Sequence, residues 1–407
     1  MPKPKLLIIA DSPTLETGFA RVIKSIAARF AEAFELDFWG IGYNGWPHSI
    51  PYRIFPTTGG AGEHWTNSIP TLLRSIPMLK PDHVFILNDP WLFSAELMAK
   101  LKEACLKANP ACKITFYCPV DSWLLPTDVL GLRLADNVVA YTNFGAAKLL
   151  EAGVEATHII PHGVDSSVYR PLENREEVRA RVFGGWLSPN DTLITYVGAH
   201  SRRKAWWSVM ETFAKMLREI PGDATISPKL LMHMEAVDQG EATNAFTVAH
   251  QLGLTPDNVL LPEKWFRKGG MPLVTEAGLN EIYNSTDIFL TCTLGEGWGL
   301  PIVEALAAGV PMVFVPDHSA CGEICTTLNG LGDDRIRKLP MSDNMIMLPG
   351  DNSRVRQQVD TTYAAELLLI AIDEHDHSLP RTGLNDLSKD WLSWDRVAKE
   401  FLNIMQK

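Results

Sequence analysis

Residues 295 to 311, Gly295-Glu296-Gly297-Trp298-Gly299-Leu300-Pro301-Ile302-Val303-Glu304-Ala305-Leu306-Ala307-Ala308-Gly309-Val310-Pro311, concentrate groups that can do chemistry. An apolar run is expected to end as a strand at Thr293, and three glycines in the next positions let the backbone turn tightly. Pro301 stands where the first residue of a helix is expected. Such a helix start presents free N–H groups and about half a positive charge, which suits a phosphate held by the amides from Gly297 through Leu300. Glu296 precedes the helix and Glu304 is expected in its first turn, with Ile302, Val303 and Leu306 as the buried face. Two carboxylates flanking a phosphate-binding turn can accept hydrogen bonds from a sugar or ribose diol. Singly, each glutamate reads as an ordinary loop or helix-start residue. The order strand, turn, helix is what joins them.

A second cluster is Val197-Gly198-Ala199-His200-Ser201-Arg202-Arg203-Lys204. Three consecutive cations after a glycine-terminated strand are what a diphosphate leaving group requires, because its developing charge must be met by groups already in place. A solvated basic loop is the plainer alternative. In Asp11-Ser12-Pro13-Thr14-Leu15-Glu16-Thr17-Gly18-Phe19, Gly18 opens an amphipathic helix, so the backbone can approach a phosphate or sugar there. Thr17 reads equally as an N-cap, and the segment is not GxGxxG. Tyr117-Cys118-Pro119-Val120-Asp121 ends a strand with a carboxylate at its carboxyl edge, either a ligand contact or a cap. His162, before Gly163, is a site residue or a satisfied junction histidine. Trp46, Trp123, Trp206, Trp207 and Trp265 can stack on a sugar or base, although tryptophans more often pack. Asp373, His375, Asp376 and His377 follow a helix and read as a solvated turn rather than a metal site.

The elements that must position these groups are legible as apolar runs. KLLIIAD (5 to 11), ELDFWGIG (35 to 42), HVFILND (83 to 89), KITFYCPVD (113 to 121), NVVAYT (137 to 142) and THIIPHG (157 to 163) alternate with helical patterns. Continuous apolar strands of this kind mark a parallel sheet covered on both faces. In the first helix Phe19, Val22, Ile23, Ile26, Ala27 and Phe30 form one buried stripe. The pattern restarts with TLITYVGAH (192 to 200), KLLMHMEA (229 to 236), NVLLPEKW (258 to 265), DIFLTCT (287 to 293), VPMVFVPDH (310 to 318) and NMIMLPG (344 to 350). The expected fold is therefore α/β, two tandem Rossmann-like doubly wound domains, 1–170 and 171–390, joined by a polar segment. Ligands of such sheets sit at the carboxyl ends of the strands, so a cleft between the two is the expected site.

With 407 residues, 46% hydrophobic and 21% charged, the chain has the make-up of a folded globular protein. Its net charge of −11 repels polyanions on average, so a nucleic acid must meet a local basic patch. The six cysteines contain no CxxC pair and are expected as buried reduced thiols in a reducing compartment. No apolar stretch approaches a membrane span and the amino terminus runs straight into a strand, so the protein is expected in the cytoplasm.

The stretch GEGWGLPIVEALAAGVP resembles the two-glutamate signature, with seven residues between glutamates, of the retaining nucleotide-sugar glycosyltransferases of family 4, which have the GT-B fold. NEIYNSTDIFLTCT (280 to 293) is similar to the helix and strand leading into it, IIPHGVDSSVYRP (159 to 171) to the domain-junction strand, and WLSWDRVAKEFLNIM (391 to 405) to the C-terminal crossing helix. The resemblance implies that residues 391–407 pack back on the N-terminal domain. It implies a nucleotide-diphosphate sugar as co-substrate, with Arg203 and Lys204 on the diphosphate, Glu304 on the ribose, Glu296 on the sugar and the loop at Gly18 near the distal phosphate. The family's usual Arg after the glycine is Ala199 here, which leaves open whether Arg202 or Arg203 takes the second cationic role. Asp121 stands where many relatives have a His, and with His162 it is carried over as an acceptor-side contact.

Function follows by the same resemblance: transfer of a hexose-like sugar to an acceptor hydroxyl, with cations and a helix dipole on the diphosphate in place of a required divalent metal. No DxD donor-metal motif is evident, and no other cofactor is implied. The stretches SPTLETGFARV and GIGYNGWPHSIPYRIFP resemble a branch of the family found in viruses of bacteria and archaea. Some members of that branch glycosylate hydroxymethylated bases in viral DNA, which makes such a base the leading acceptor and the host cytoplasm the setting, with a glycan, lipid or small molecule as the alternative. Two rivals remain: a glycoside hydrolase using Glu296 and Glu304, which would not need the basic loop, and a catalytically silent sugar-nucleotide-binding module.

Overall fold

The computed structural model describes residues 2–57, 64–222, 226–238, 243–263, 274–351, 354–374 and 381–406. Trp265, His375, Asp376 and His377 lie outside the described residues. The chain divides into two compact units, Met1–Gly163 with Leu392–Lys407, and Val164–Trp391.

The first unit alternates β1 (Lys5–Asp11), α1 (Gly18–Ala33), β2 (Glu35–Ile41), β3 (Arg53–Pro56), α2 (Ile69–Leu79), β4 (His83–Leu87), α3 (Ala95–Ala108), β5 (Lys113–Cys118), β6 (Asn137–Ala140), α4 (Asn143–Glu151) and β7 (His158–Ile159). Its seven strands are parallel, in the order β3-β2-β1-β4-β5-β6-β7. Leu6 through Ala10 of β1 are fully enclosed because helices cover both faces, which is why the run carries no alternation. α1 buries Val22, Ile23, Ile26, Ala27 and Phe30 as the spacing predicts, with Ala20 enclosed and Phe19 half-buried. Each such large apolar side chain contributes roughly 1.5–3 kcal/mol. Thr17 caps α1 by accepting from the Ala20 amide at 3.1 Å and donates to Asp11 at 2.5 Å. The last helix of the chain, Trp394–Met405, packs here: Phe401 meets Phe85 and Tyr117 edge-on at 5.0 and 4.8 Å between ring centroids.

The second unit runs α5 (Arg175–Phe183), β8 (Thr192–Val197), α6 (Trp206–Glu219), β9 (Pro228–His233), β10 (Val237–Asp238), β11 (Thr243–Asn244), α7 (Ala245–Gln251), β12 (Val259–Leu260), α8 (Glu276–Ser285), β13 (Ile288–Leu290), α9 (Leu300–Ala307), β14 (Met312–Pro316), α10 (Ser319–Gly330), β15 (Ile336–Leu339), β16 (Met341–Met347), β17 (Val355–Val359), α11 (Thr361–Asp373) and α12 (Asp386–Trp391). Six parallel strands lie in the order β12-β9-β8-β13-β14-β15. Residues 164–172 belong to this unit because the Arg170 and Leu172 amides donate to the Asn280 and Asn284 side chains at 3.1 and 2.7 Å. Asp287, fully buried at the start of β13, is held by Arg175, by Arg179 at 3.0 Å and by Arg381 at 3.0 Å, which ties both flanking segments to the sheet.

Two expectations are corrected. NMIMLPG is not a strand of the parallel sheet; its first four residues end β16, which pairs antiparallel with β17 as a separate ribbon, and Leu348 to Gly350 lie beyond it. The sheet's edge is instead β15, whose Arg337 and Lys338 break the apolar run that marks central strands. The strand expected to end at Thr293 ends at Leu290, because the chain turns early toward the glycine loop.

All six cysteines are buried and unpaired. Among the described residues, no helix is long and apolar enough to cross a membrane.

Candidate functional site

In the second unit, strand order reverses between β8 and β13. At such a switch point the two departing connections diverge and leave a crevice at the carboxyl ends of the strands. The connection after β8 carries Gly198 and the basic turn Arg202–Lys204, and that after β13 carries Gly295 to Gly299. The two motifs singled out in the sequence are thus brought together by topology.

Backbone bonds bolt the connections to each other. The Leu294 amide donates to the Arg203 carbonyl at 2.8 Å, and Thr293 Oγ1 donates to the same carbonyl at 3.2 Å. The side chains then converge. Lys204 Nζ donates to Glu296 Oε1, while Arg203 donates to the Gly295 carbonyl and, at 3.3 Å, to Glu296 Oε2. Glu296 and Lys204 keep only 12% and 18% of their side chains exposed, so the pair is enclosed but open at one side. Of the two arginines, Arg203 shares Glu296 with Lys204.

The helix start has the geometry its sequence predicts, with two corrections. Gly299 adopts φ +113°, and a Cβ there would meet Ile302 Cδ1 at 2.8 Å, so only glycine fits the turn. Pro301 is the second helical residue, after Leu300. Glu304 consequently falls in the second turn, is 1% exposed, and accepts from the Tyr283 hydroxyl at 3.1 Å. Trp298 is also buried, its ring 5.6 Å from that of Trp391, and Gly297 is enclosed beside it. Gly198 is required for a different reason: a Cβ would come within 2.3 Å of the Tyr196 hydroxyl.

Sequence reasoning missed the groups that hold this loop from outside. Ser319 Oγ accepts from the Glu296 amide at 3.0 Å, and Ser319 sits at φ +51°, a conformation a non-glycine residue adopts only at a cost of about 1–3 kcal/mol. Nothing in DHSACGE signals that strain. Arg356, 2% exposed on the ribbon, pairs with Asp351 at 2.6 Å and reaches the Leu294 carbonyl at 3.5 Å. Tyr196 and Cys321 lie in the field of Glu296; burial first, then that negative charge, pushes the phenol and the thiol well up, so both stay neutral.

The first unit holds the remaining named residues. Gly18 begins α1, and a Cβ there would meet nothing within 4 Å, so packing does not demand the glycine and room remains above it. Asp121 is half-buried in the connection after β5. His162, carried over as an acceptor contact, is instead a core residue: 2% exposed, its Nδ1 2.7 Å from the Tyr117 hydroxyl, its ring against Tyr141 and Trp394. Burial pushes its pKa down to about 3, so it is neutral at any ordinary pH. Trp206 is core, and Trp207 is half-buried beside it at 5.9 Å. Trp46 and Trp123 are exposed.

The chain matches no family model. It is similar to the D-inositol 3-phosphate glycosyltransferase of Nocardia farcinica, 24% identical over 76% of this chain and 66% of that protein. Curated relatives of that name are matched over 36% to 66% of their length, so the chain spans two thirds or less of them. Among solved structures, sucrose-phosphate synthase from Thermosynechococcus elongatus superposes with a TM-score of 0.69 at 14% identity, over 99% of this chain and 98% of that one. The Anabaena protein HepE in complex with UDP and glucose gives 0.64 at 13% identity, over 99% of each chain. The fold is that of the GT-B glycosyltransferases.

Proposed function

We propose that the protein is a retaining glycosyltransferase of the family 4 kind, moving a sugar from a nucleotide diphosphate to an acceptor hydroxyl. The observation that carries the reading is the meeting of Lys204 and Arg203 with Glu296 beside the start of α9, at the switch point of the second unit. Cations and a helix start there suit a diphosphate, and the carboxylate suits sugar hydroxyls. Relatives named as glycosyltransferases and a neighbour of the same fold holding UDP and glucose support it. In this reading Arg203 and Lys204 neutralise the leaving diphosphate, with Arg202 next to them, and the backbone from Gly297 to Leu300 and at Gly198 approaches the phosphates. Glu296 holds the sugar and Glu304 the ribose, while Gly18 and Asp121 lie on the acceptor side. His162, buried against Tyr117, takes no part.

The leaving phosphate itself would take the acceptor proton on the same face of the sugar, so no protein base is assigned. A panel of UDP-, ADP- and GDP-sugars, read by nucleoside diphosphate release and by the anomeric configuration of the product, tests this. An α-linked product from an α-linked donor is expected. A β-linked product sinks retention, sugar release indifferent to the nucleotide points to a hydrolase, and binding of donor without turnover points to a silent module.

Among the described residues no group of three or more His, Cys, Asp and Glu side chains is placed to hold a metal ion. With Lys204 and Arg203 on the diphosphate, chelation of divalent ions is expected to leave the initial rate within about twofold. A loss of about tenfold or more, restored by magnesium, would reassign the charge stabilisation to a metal. The resemblance to the viral branch keeps a hydroxymethylated base in DNA among the acceptors to be assayed.

A further inference from the structure

The two units differ in what their sheets present at the carboxyl edge. In the second, the connection after β8 carries three consecutive cations. In the first, the described residues that follow the strand ends, 12–17, 42–52, 57, 88–94, 119–125 up to the 3-10 helix Pro126–Leu134, 141–142 and 160–163, contain no lysine or arginine. They carry Glu16, Asp89 and Asp121, with Asp11 ending β1. Cations flank these connections on the helices: Arg21 lies in the first turn of α1, and Lys148 Nζ pairs with Glu151 at 2.8 Å.

The same connections hold tryptophans placed outward. Trp46 is 71% exposed, while its backbone is fixed by the Tyr43 hydroxyl donating to its carbonyl at 2.5 Å and by its amide donating to Asn44 Oδ1 at 3.3 Å. Trp123 is 59% exposed and rests one face on Lys148 Nζ, 3.7 Å from the ring centroid. That cation–π contact orients the indole and leaves its other face open. Trp46 follows β2 and Trp123 follows β5, strands three positions apart in the sheet, with roughly 14 Å between their axes. Both indoles are exposed on ordered backbone, and an indole offers an apolar face on which a sugar ring can stack.

We propose that this edge is an acceptor surface for an unphosphorylated saccharide, with Trp46 and Trp123 as platforms for apolar sugar faces and Asp121 and Glu16 accepting hydrogen bonds from hydroxyls. As an acceptor assignment it rests on the glycosyl-transfer reading above; the chemical class rests on charge. A phosphorylated inositol or a DNA backbone would meet carboxylates without a lysine or arginine in these connections, whereas an uncharged polyol meets acceptors it can satisfy. Two platforms carried by separate connections suit an oligosaccharide better than a monosaccharide.

The test is direct binding to the intact protein, without donor. Saturation-transfer NMR would compare uncharged disaccharides and trisaccharides with inositol phosphate, and fluorescence anisotropy would follow a hydroxymethylcytosine-containing duplex. An uncharged oligosaccharide is expected to bind, with affinity unchanged between low and moderate salt and weakened about tenfold or more in Trp123→Ala and in Trp46→Ala. Asp121→Asn should weaken it less. Binding by the anionic ligands alone, saccharide binding indifferent to both tryptophan variants, or no saccharide binding would each overturn the proposal. Calorimetry of UDP-glucose on the same variants separates the two readings: saccharide binding without donor binding removes the donor site and leaves this surface standing.

Discussion

Replacing Lys204 by alanine is expected to lower turnover by about 10² to 10³, the loss seen when a preorganised group facing developing charge is removed. Lys204 qualifies because it is already in place: its ammonium is held at Glu296, 18% exposed, on a turn bonded through its backbone to the opposite loop. The low-dielectric surroundings make its charge worth more to a leaving diphosphate than the same charge on the surface. Thermal unfolding measured alongside separates catalysis from folding, because removing one member of a partly buried pair also costs stability. Turnover within about threefold of wild type, with the fold intact, would take Lys204 out of the site.

The second large effect is expected at Glu296, and it has two signs. Because Glu296 accepts from both Lys204 and Arg203, it is expected to compete with a diphosphate for the same cations while serving, in the proposed reading, as the acceptor for sugar hydroxyls. Glu296→Ala should therefore lower turnover by roughly 10- to 100-fold, through the lost charge-assisted bonds to the sugar. The same variant should bind UDP alone about fivefold more tightly, since a partly exposed ion pair of about 1 kcal/mol no longer has to be broken. Steady-state kinetics and a UDP titration read the two quantities independently. A variant that loses affinity for UDP as well as turnover would mean that Glu296 positions the cations rather than competing with their ligand.

Much of this arrangement was legible because it is local. β1, α1 and the Gly295–Gly299 turn are written in contiguous residues whose periodicity or glycine spacing has one structural solution. The convergence of Lys204 with Glu296 was not written locally; it follows from strand order, which places the connections after β8 and β13 side by side. Other groups were beyond reach for the same reason. Ser319 acts through a left-handed backbone angle that its neighbours do not announce, and Arg356 acts from a ribbon whose apolar residues read as another sheet strand. His162 stays open between a site residue and a junction residue in the sequence because its burial depends on Tyr117, Tyr141 and Trp394, elsewhere in the chain. Glu304 was assigned one turn too early, since the helix begins at Leu300 rather than at Pro301.

The claim on which the rest depends is that the second unit binds a nucleotide diphosphate through Lys204, Arg203 and the start of α9. Isothermal titration of the common nucleotide sugars into the wild-type protein and Lys204→Ala tests it most directly. The account predicts saturable heat with at least one donor, weakened about tenfold or more by the substitution. Absence of heat with every donor, or a donor whose affinity ignores the loss of Lys204, would contradict it.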